Sequence, residues 1–186
     1  NIVGGTSSGV GLLLGDSDAE IRGALIYDNA TDALGFRTGG NTERMRIDSS
    51  GNLLVGTTNT TFSNKGIRLY NYGSLEVVRP SDSCMELNRT GTDGIIARFH
   101  KDGSTVGSIG TEGTDLTIGS GGAGFQFLES ENKIRPFNMS TNSASNGVVD
   151  LGRANAKFKD LYLSGAIKMD SDLDDYEEGT FTPLFY

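Results

Sequence analysis

The sequence predicts an all-β protein drawn out as a β-hairpin fibre, β-prism or β-solenoid, and three observations carry that reading. Glycine takes 27 of the 186 residues while proline supplies only three, about twice the usual glycine share of roughly 7%. No three-residue period accompanies the glycine, which excludes a collagen triple helix. Short apolar–polar alternating runs are separated by clusters of Gly, Asn, Asp and Ser, the pattern of successive hairpins. Helical periodicity is nearly absent.

The strands are expected in this order. Ala24-Leu25-Ile26-Tyr27 is closed by the turn around Asn29, and Ala33 to Thr38 is closed by Gly39-Gly40-Asn41. Thr42-Glu43-Arg44-Met45-Arg46-Ile47 follows, in which period two places Met45 and Ile47 on one face and Arg44 and Arg46 on the other. Ser49-Ser50-Gly51-Asn52 supplies a turn in which Gly51 or Asn52 takes positive φ, and Leu53-Leu54-Val55 returns. Further strands are expected at Gly66–Tyr70, Ser74–Val78, Met85–Asn88 and Ile95–Phe99. Lys101-Asp102-Gly103-Ser104 turns into a strand around Val106 and Ile109, and Asp115–Ile118 and Phe125–Leu128 complete the set.

Residues 1–134 therefore read as a repetitive β-meander shaft. Residues 135–169 read as a connector and small β element, in which Ala154 to Lys159 could form one helical turn. Residues 170–186 read as an acidic linker and the start of a following domain. Asn1 in place of an initiating methionine is expected of a fragment or a processed product.

Composition narrows the function classes. Hydrophobic residues make up only 35% of the chain, so a lone monomer would struggle to offset its chain entropy with one central core. Burial against other chains, or a long repetitive structure, answers that shortage. A net charge of −8 with singly scattered basic residues argues against nucleic acid and against anionic membrane surfaces. One cysteine allows no intrachain disulfide framework and no thiolate zinc site. No run approaches 18 apolar residues and no signal-peptide pattern opens the chain.

Four blocks are similar to the tail fibres and virion appendages of tailed phages. They are Thr42–Thr58 (opening Thr-Glu-Arg-Met-Arg-Ile), Phe99–Ile109, Asp150–Ala154 with Lys157–Gly165, and Leu173–Pro183, in the order usual for that family. The resemblance implies a homotrimeric β-rich fibre segment of the virion, joined to other tail or baseplate proteins. Such segments are often followed by a tip domain or a cleavable intramolecular chaperone. The sequence stops at Tyr186, where a following domain would begin, so a receptor-binding tip is expected outside it.

No constellation for catalysis, cofactor or metal is expected. His100 is the single histidine and reads as a strand-end residue, because a triad or zinc site needs partners. Cys84 reads as a small buried thiol at a strand start. The acidic run Asp170, Asp172, Asp174, Asp175, Glu177 and Glu178 has the alternation of a calcium loop but lacks its central glycine and final glutamate. It reads as a solvated linker. Gly119 to Gly124 lacks the Lys-Ser/Thr of a phosphate loop and reads as a turn. Arg44 and Arg46 are expected in cross-strand ion pairs with Asp and Glu on neighbouring strands or chains, with an anionic glycan as the other use. The function expected is a non-enzymatic trimeric shaft that positions host-recognition elements. The alternative is an adhesin that stacks host glycans on Tyr70, Tyr72 or Phe125. A polysaccharide-cleaving tailspike, less expected, would need paired carboxylates such as Asp82 and Glu86.

Overall fold

A computed structural model describes residues 3–165, and the chain is all-β. It divides into two compact units, Asn1–Asn88 and Arg89–Tyr186. The acidic run and the block Leu173–Pro183 lie outside the described residues.

The first unit is one antiparallel sheet of seven strands in simple sequence order. Its strands are β1 (Gly9–Leu14), β2 (Gly23–Asp28), β3 (Ala33–Thr38), β4 (Thr42–Ile47), β5 (Leu53–Val55), β6 (Gly66–Leu69) and β7 (Leu75–Val78). The second unit is a six-stranded meander, also antiparallel. It contains β8 (Gly94–Lys101), β9 (Ser104–Glu112), β10 (Asp115–Ser120), β11 (Ala123–Leu128), β12 (Lys133–Asn138) and β13 (Ser143–Ala144). The boundary at Asn88 falls within the segment that the sequence reads as one shaft.

Turn chemistry explains the short connections. Gly51 takes φ +82°, and its N–H donates to the Asp48 carbonyl. The Asp48 carboxylate accepts from the Ser50 and Asn52 backbone N–H groups and from Asn52 Nδ2. Between β8 and β9 both Asp102 (φ 50°) and Gly103 (φ 80°) are left-handed, as a two-residue hairpin turn requires.

Partial burial opposes ionisation of Asp48, but these hydrogen bonds outweigh it and hold the carboxyl below its ordinary value of 3.8. Bonds from the Ala30 N–H and the Thr31 hydroxyl likewise lower Asp28, and Arg22 lowers Asp16. A depressed folded pKa gives stability that is present above the unfolded value and lost as pH falls through the folded one. Thermal unfolding followed from neutral to strongly acid pH should therefore show a loss setting in below about pH 4. Asp48→Asn should flatten that slope, whereas an unchanged slope would show that the turn does not contribute to it.

Two expectations are corrected. Met85–Asn88 is not a strand: no neighbour pairs with it, and Met85 and Leu87 stand in solvent. Ala154 to Lys159 forms no helical turn; Arg153 and Ala156 instead exchange backbone hydrogen bonds at 3.1 and 3.0 Å across a tight turn. The connector from residue 135 begins inside β12, which contains Pro136. The Pro136 carbonyl accepts from the Ser145 N–H at 3.1 Å. The missing N–H therefore points to that same side, away from β11, and removes nothing from the β11–β12 ladder.

Candidate functional site: two apolar sheet faces

Register determines which residues share a face. Across the first sheet Leu12, Leu25, Phe36, Met45, Val55, Ile67 and Val77 are successive cross-strand partners. A second row runs Val10, Tyr27, Leu34, Ile47, Leu53, Leu69 and Leu75. Both rows lie on one face, because their members alternate with an intervening row that points to the other. That row reads Gly11, Ile26, Gly35, Arg46, Leu54, Arg68 and Glu76.

The usual relation between polarity and exposure is inverted here. The mixed, charged face holds the most buried side chains of the unit, with Leu54 at 1% and Arg68 at 0% exposure. Eight members of the two apolar rows keep between 37% and 56% of their surface open, from Leu25 and Phe36 to Leu12 and Leu75. At roughly 150–250 Å² per large side chain, that is on the order of 600 Å² of exposed apolar area. A typical monomer's largest patch is about 300–600 Å², and one partner of a standard interface gives about 800 Å². The face therefore lies at the upper end of what a monomer leaves open and approaches one side of a standard interface.

The second sheet repeats the arrangement. Ala97, Ile109, Ile118, Phe125 and Pro136 form one row, and Thr111, Leu116, Phe127 and Ile134 the next. Phe125, Phe127 and Leu116 are exposed. On the opposite face Thr117 and Gln126 are fully buried.

Most polar groups of the charged faces are paired locally. Arg46 donates to both Glu43 oxygens, at 2.5 and 2.9 Å. Fully buried Arg68 donates from Nε to the Asn59 carbonyl at 3.0 Å, and from Nη2 to the Thr61 and Asn64 carbonyls at 2.8 Å each. These bonds draw the loop between β5 and β6 onto that face. Gln126 links Glu112 and Asp115 to Arg135, which donates to the Gln126 Oε1 at 2.8 Å. Three buried atoms of these faces, Arg37 Nε, Arg68 Nη1 and Thr117 Oγ1, have no hydrogen-bond partner among the described residues.

The singled-out residues distribute as follows. Met45 and Ile47 share the apolar face and Arg46 lies opposite, as alternation requires. Arg44 departs from it, because Phe36 pairs with Met45 and Arg37 with Glu43, leaving Arg44 as the extra residue of a bulge. Among the described residues of the single chain, neither arginine makes a cross-strand ion pair. Arg46 pairs within its own strand, and Arg44 donates only to the Thr38 hydroxyl. Cys84 is exposed rather than buried, since the strand expected around it does not form. His100 stands near the end of β8 opposite Thr105, and Gly119 to Gly124 makes the β10–β11 hairpin. Tyr70 and Tyr72 stack with ring centroids 5.1 Å apart. Burial, and then the hydrogen bond to Glu76, raises the Tyr70 hydroxyl pKa. Phe125 belongs to the apolar face of the second sheet. Among the described residues no group of three or more His, Cys, Asp or Glu side chains could hold a metal ion.

Fold and site together define an all-β protein of two antiparallel meanders, each with one apolar face and one face that carries buried polar side chains. No family model, curated protein or solved structure matches the chain.

Proposed function

We propose that the chain is a structural segment of a virion appendage, a homotrimeric fibre shaft in which the apolar sheet faces of three copies meet around a common axis. The observation that supports this reading is the pair of seven-residue apolar rows left open on the first sheet. Covering on the order of 600 Å² per chain at roughly 25 cal/mol per Å² gives about 15 kcal/mol before association costs. That supplies what a chain with 35% hydrophobic residues lacks alone. The four sequence blocks give the same reading its setting, a tail fibre or related appendage that positions host-recognition elements. A shaft performs no chemistry: it holds a tip at a distance and resists unfolding, and burial between chains serves both.

The setting is tested with antibodies raised against residues 3–165. On purified particles of the source phage they should decorate an appendage in electron micrographs. Particles that stay bare while the same antibodies bind the isolated protein would contradict the assignment to the virion.

A further inference from the structure

We infer that the Asn146–Gly147 peptide is a site of self-modification, where the asparagine side chain deamidates and the main chain passes into an isoaspartyl link. The inference goes beyond the assembly role and does not depend on it. The sequence holds this one Asn-Gly pair. It follows β13 and lies just past the hydrogen bond from the Ser145 N–H to the Pro136 carbonyl at 3.1 Å. Among the described residues no backbone hydrogen bond ties a later residue to the second sheet.

The chemistry needs only water. The Gly147 nitrogen attacks Asn146 Cγ and a bond forms between them. The Cγ–Nδ2 bond breaks, and Nδ2 leaves as ammonia with the proton given up by the Gly147 nitrogen. Water then opens the cyclic imide. Opening at Cγ gives aspartate; opening at the main-chain carbonyl gives isoaspartate, with the chain running through Cγ. Attack requires a nitrogen that can be approached and a side chain free to turn towards it. Glycine has no Cβ to shield its nitrogen. Gly147 takes φ +66°, and no atom stands within 4 Å of where a Cβ would be. Asn146 is exposed, and among the described residues neither its side chain nor the Gly147 N–H makes a hydrogen bond.

The asparagines followed by Ala or Ser are held where Asn146 is free. Asn29 Nδ2 donates to the Gly5 and Ser8 carbonyls at 3.1 and 2.6 Å, and the Ala30 N–H donates to Asp28 Oδ1 at 2.9 Å. Asn142 Nδ2 donates to the Thr111 carbonyl at 3.4 Å, and Ser143 pairs with Asn138 in the sheet. After Asn155, the Ala156 N–H donates to the Arg153 carbonyl at 3.0 Å. At each of these positions attack must first undo a hydrogen bond or a strand pairing, and at Asn146 it undoes nothing. The product carries a new carboxylate, one unit more negative than the present −8. In its isoaspartyl form it also adds a methylene to the main chain beyond the sheet, so the ladders of β8 to β13 stay as they are.

The test incubates the full chain at neutral and at mildly alkaline pH. Isoelectric focusing, peptide mapping and methyl transfer by an isoaspartyl methyltransferase with labelled S-adenosylmethionine follow the change. A peptide of residues 140–152 serves as the unstructured reference. Acidic species should accumulate faster at the higher pH, where more of the attacking nitrogen is deprotonated, and should map to Asn146. Conversion in the folded chain is expected within about tenfold of the peptide's rate. Asn146→Gln, whose longer side chain closes the ring far more slowly, should lose both the acidic shift and the methyl acceptor with circular dichroism unchanged. Conversion slower than that tenfold limit, absence of isoaspartate at Asn146, or acidic species that persist in Asn146→Gln would each overturn the inference.

Discussion

Replacing Phe36 with aspartate should dissociate the proposed trimer while leaving each chain folded. Phe36 lies in the middle of the first apolar row, between Leu25 and Met45, and keeps 37% of its surface open in the single chain. A carboxylate at that position can therefore be hydrated in the separate chain. In the proposed trimer three carboxylates would be drawn together in an apolar environment. An unpaired buried charge costs several kcal/mol, and about 4 kcal/mol already corresponds to a thousandfold loss of association. Light scattering should report a single chain, with β-sheet circular dichroism preserved. An unchanged assembly mass would mean that this face is not the one that meets other copies.

The second large effect is expected at Arg68. Its guanidinium holds the Asn59, Thr61 and Asn64 carbonyls and so fastens the loop between β5 and β6 over Leu54 and its neighbours. Two effects oppose each other in Arg68→Met. Removing a buried cation without a carboxylate partner relieves a desolvation cost. Three carbonyls lose charge-assisted hydrogen bonds, each worth about 1.5–3 kcal/mol, and no other donor is placed to replace them. The second effect is the larger, because lifting the loop to rehydrate its carbonyls also uncovers buried side chains. A net loss of about 2–4 kcal/mol is expected in urea unfolding. Arg68→Lys should recover only part, since a single ammonium cannot reproduce a fork spread over three acceptors. A change below about 0.5 kcal/mol in Arg68→Met would show that the loop is held by other contacts.

What could be read in the sequence follows from which interactions are local. Strands β3, β4 and β5 coincide with the predicted runs, since their alternation and their turn residues Gly39, Gly40, Asn41 and Gly51 all lie within a few positions. The orientation of Met45 and Ile47 was legible for the same reason. Strand β1 was not read, because Leu12-Leu13-Leu14 does not alternate and its strand character comes from pairing with β2. Strand β12 was hidden by Pro136, whose tolerance depends on which neighbour lies on which side. The bulge at Arg44 is a mismatch between two strands, and neither strand carries it alone. Met85–Asn88 shows the converse, an alternating run left without a neighbour. Arg68 had no signal in sequence, because its three acceptors lie four to nine residues earlier in an irregular loop.

The most direct test is the solution mass of residues 1–186 by light scattering, before and after mild heating. A stable particle of three times 19.7 kDa is the predicted result. A monodisperse particle of 19.7 kDa, with its apolar rows open to water, would contradict the trimeric shaft.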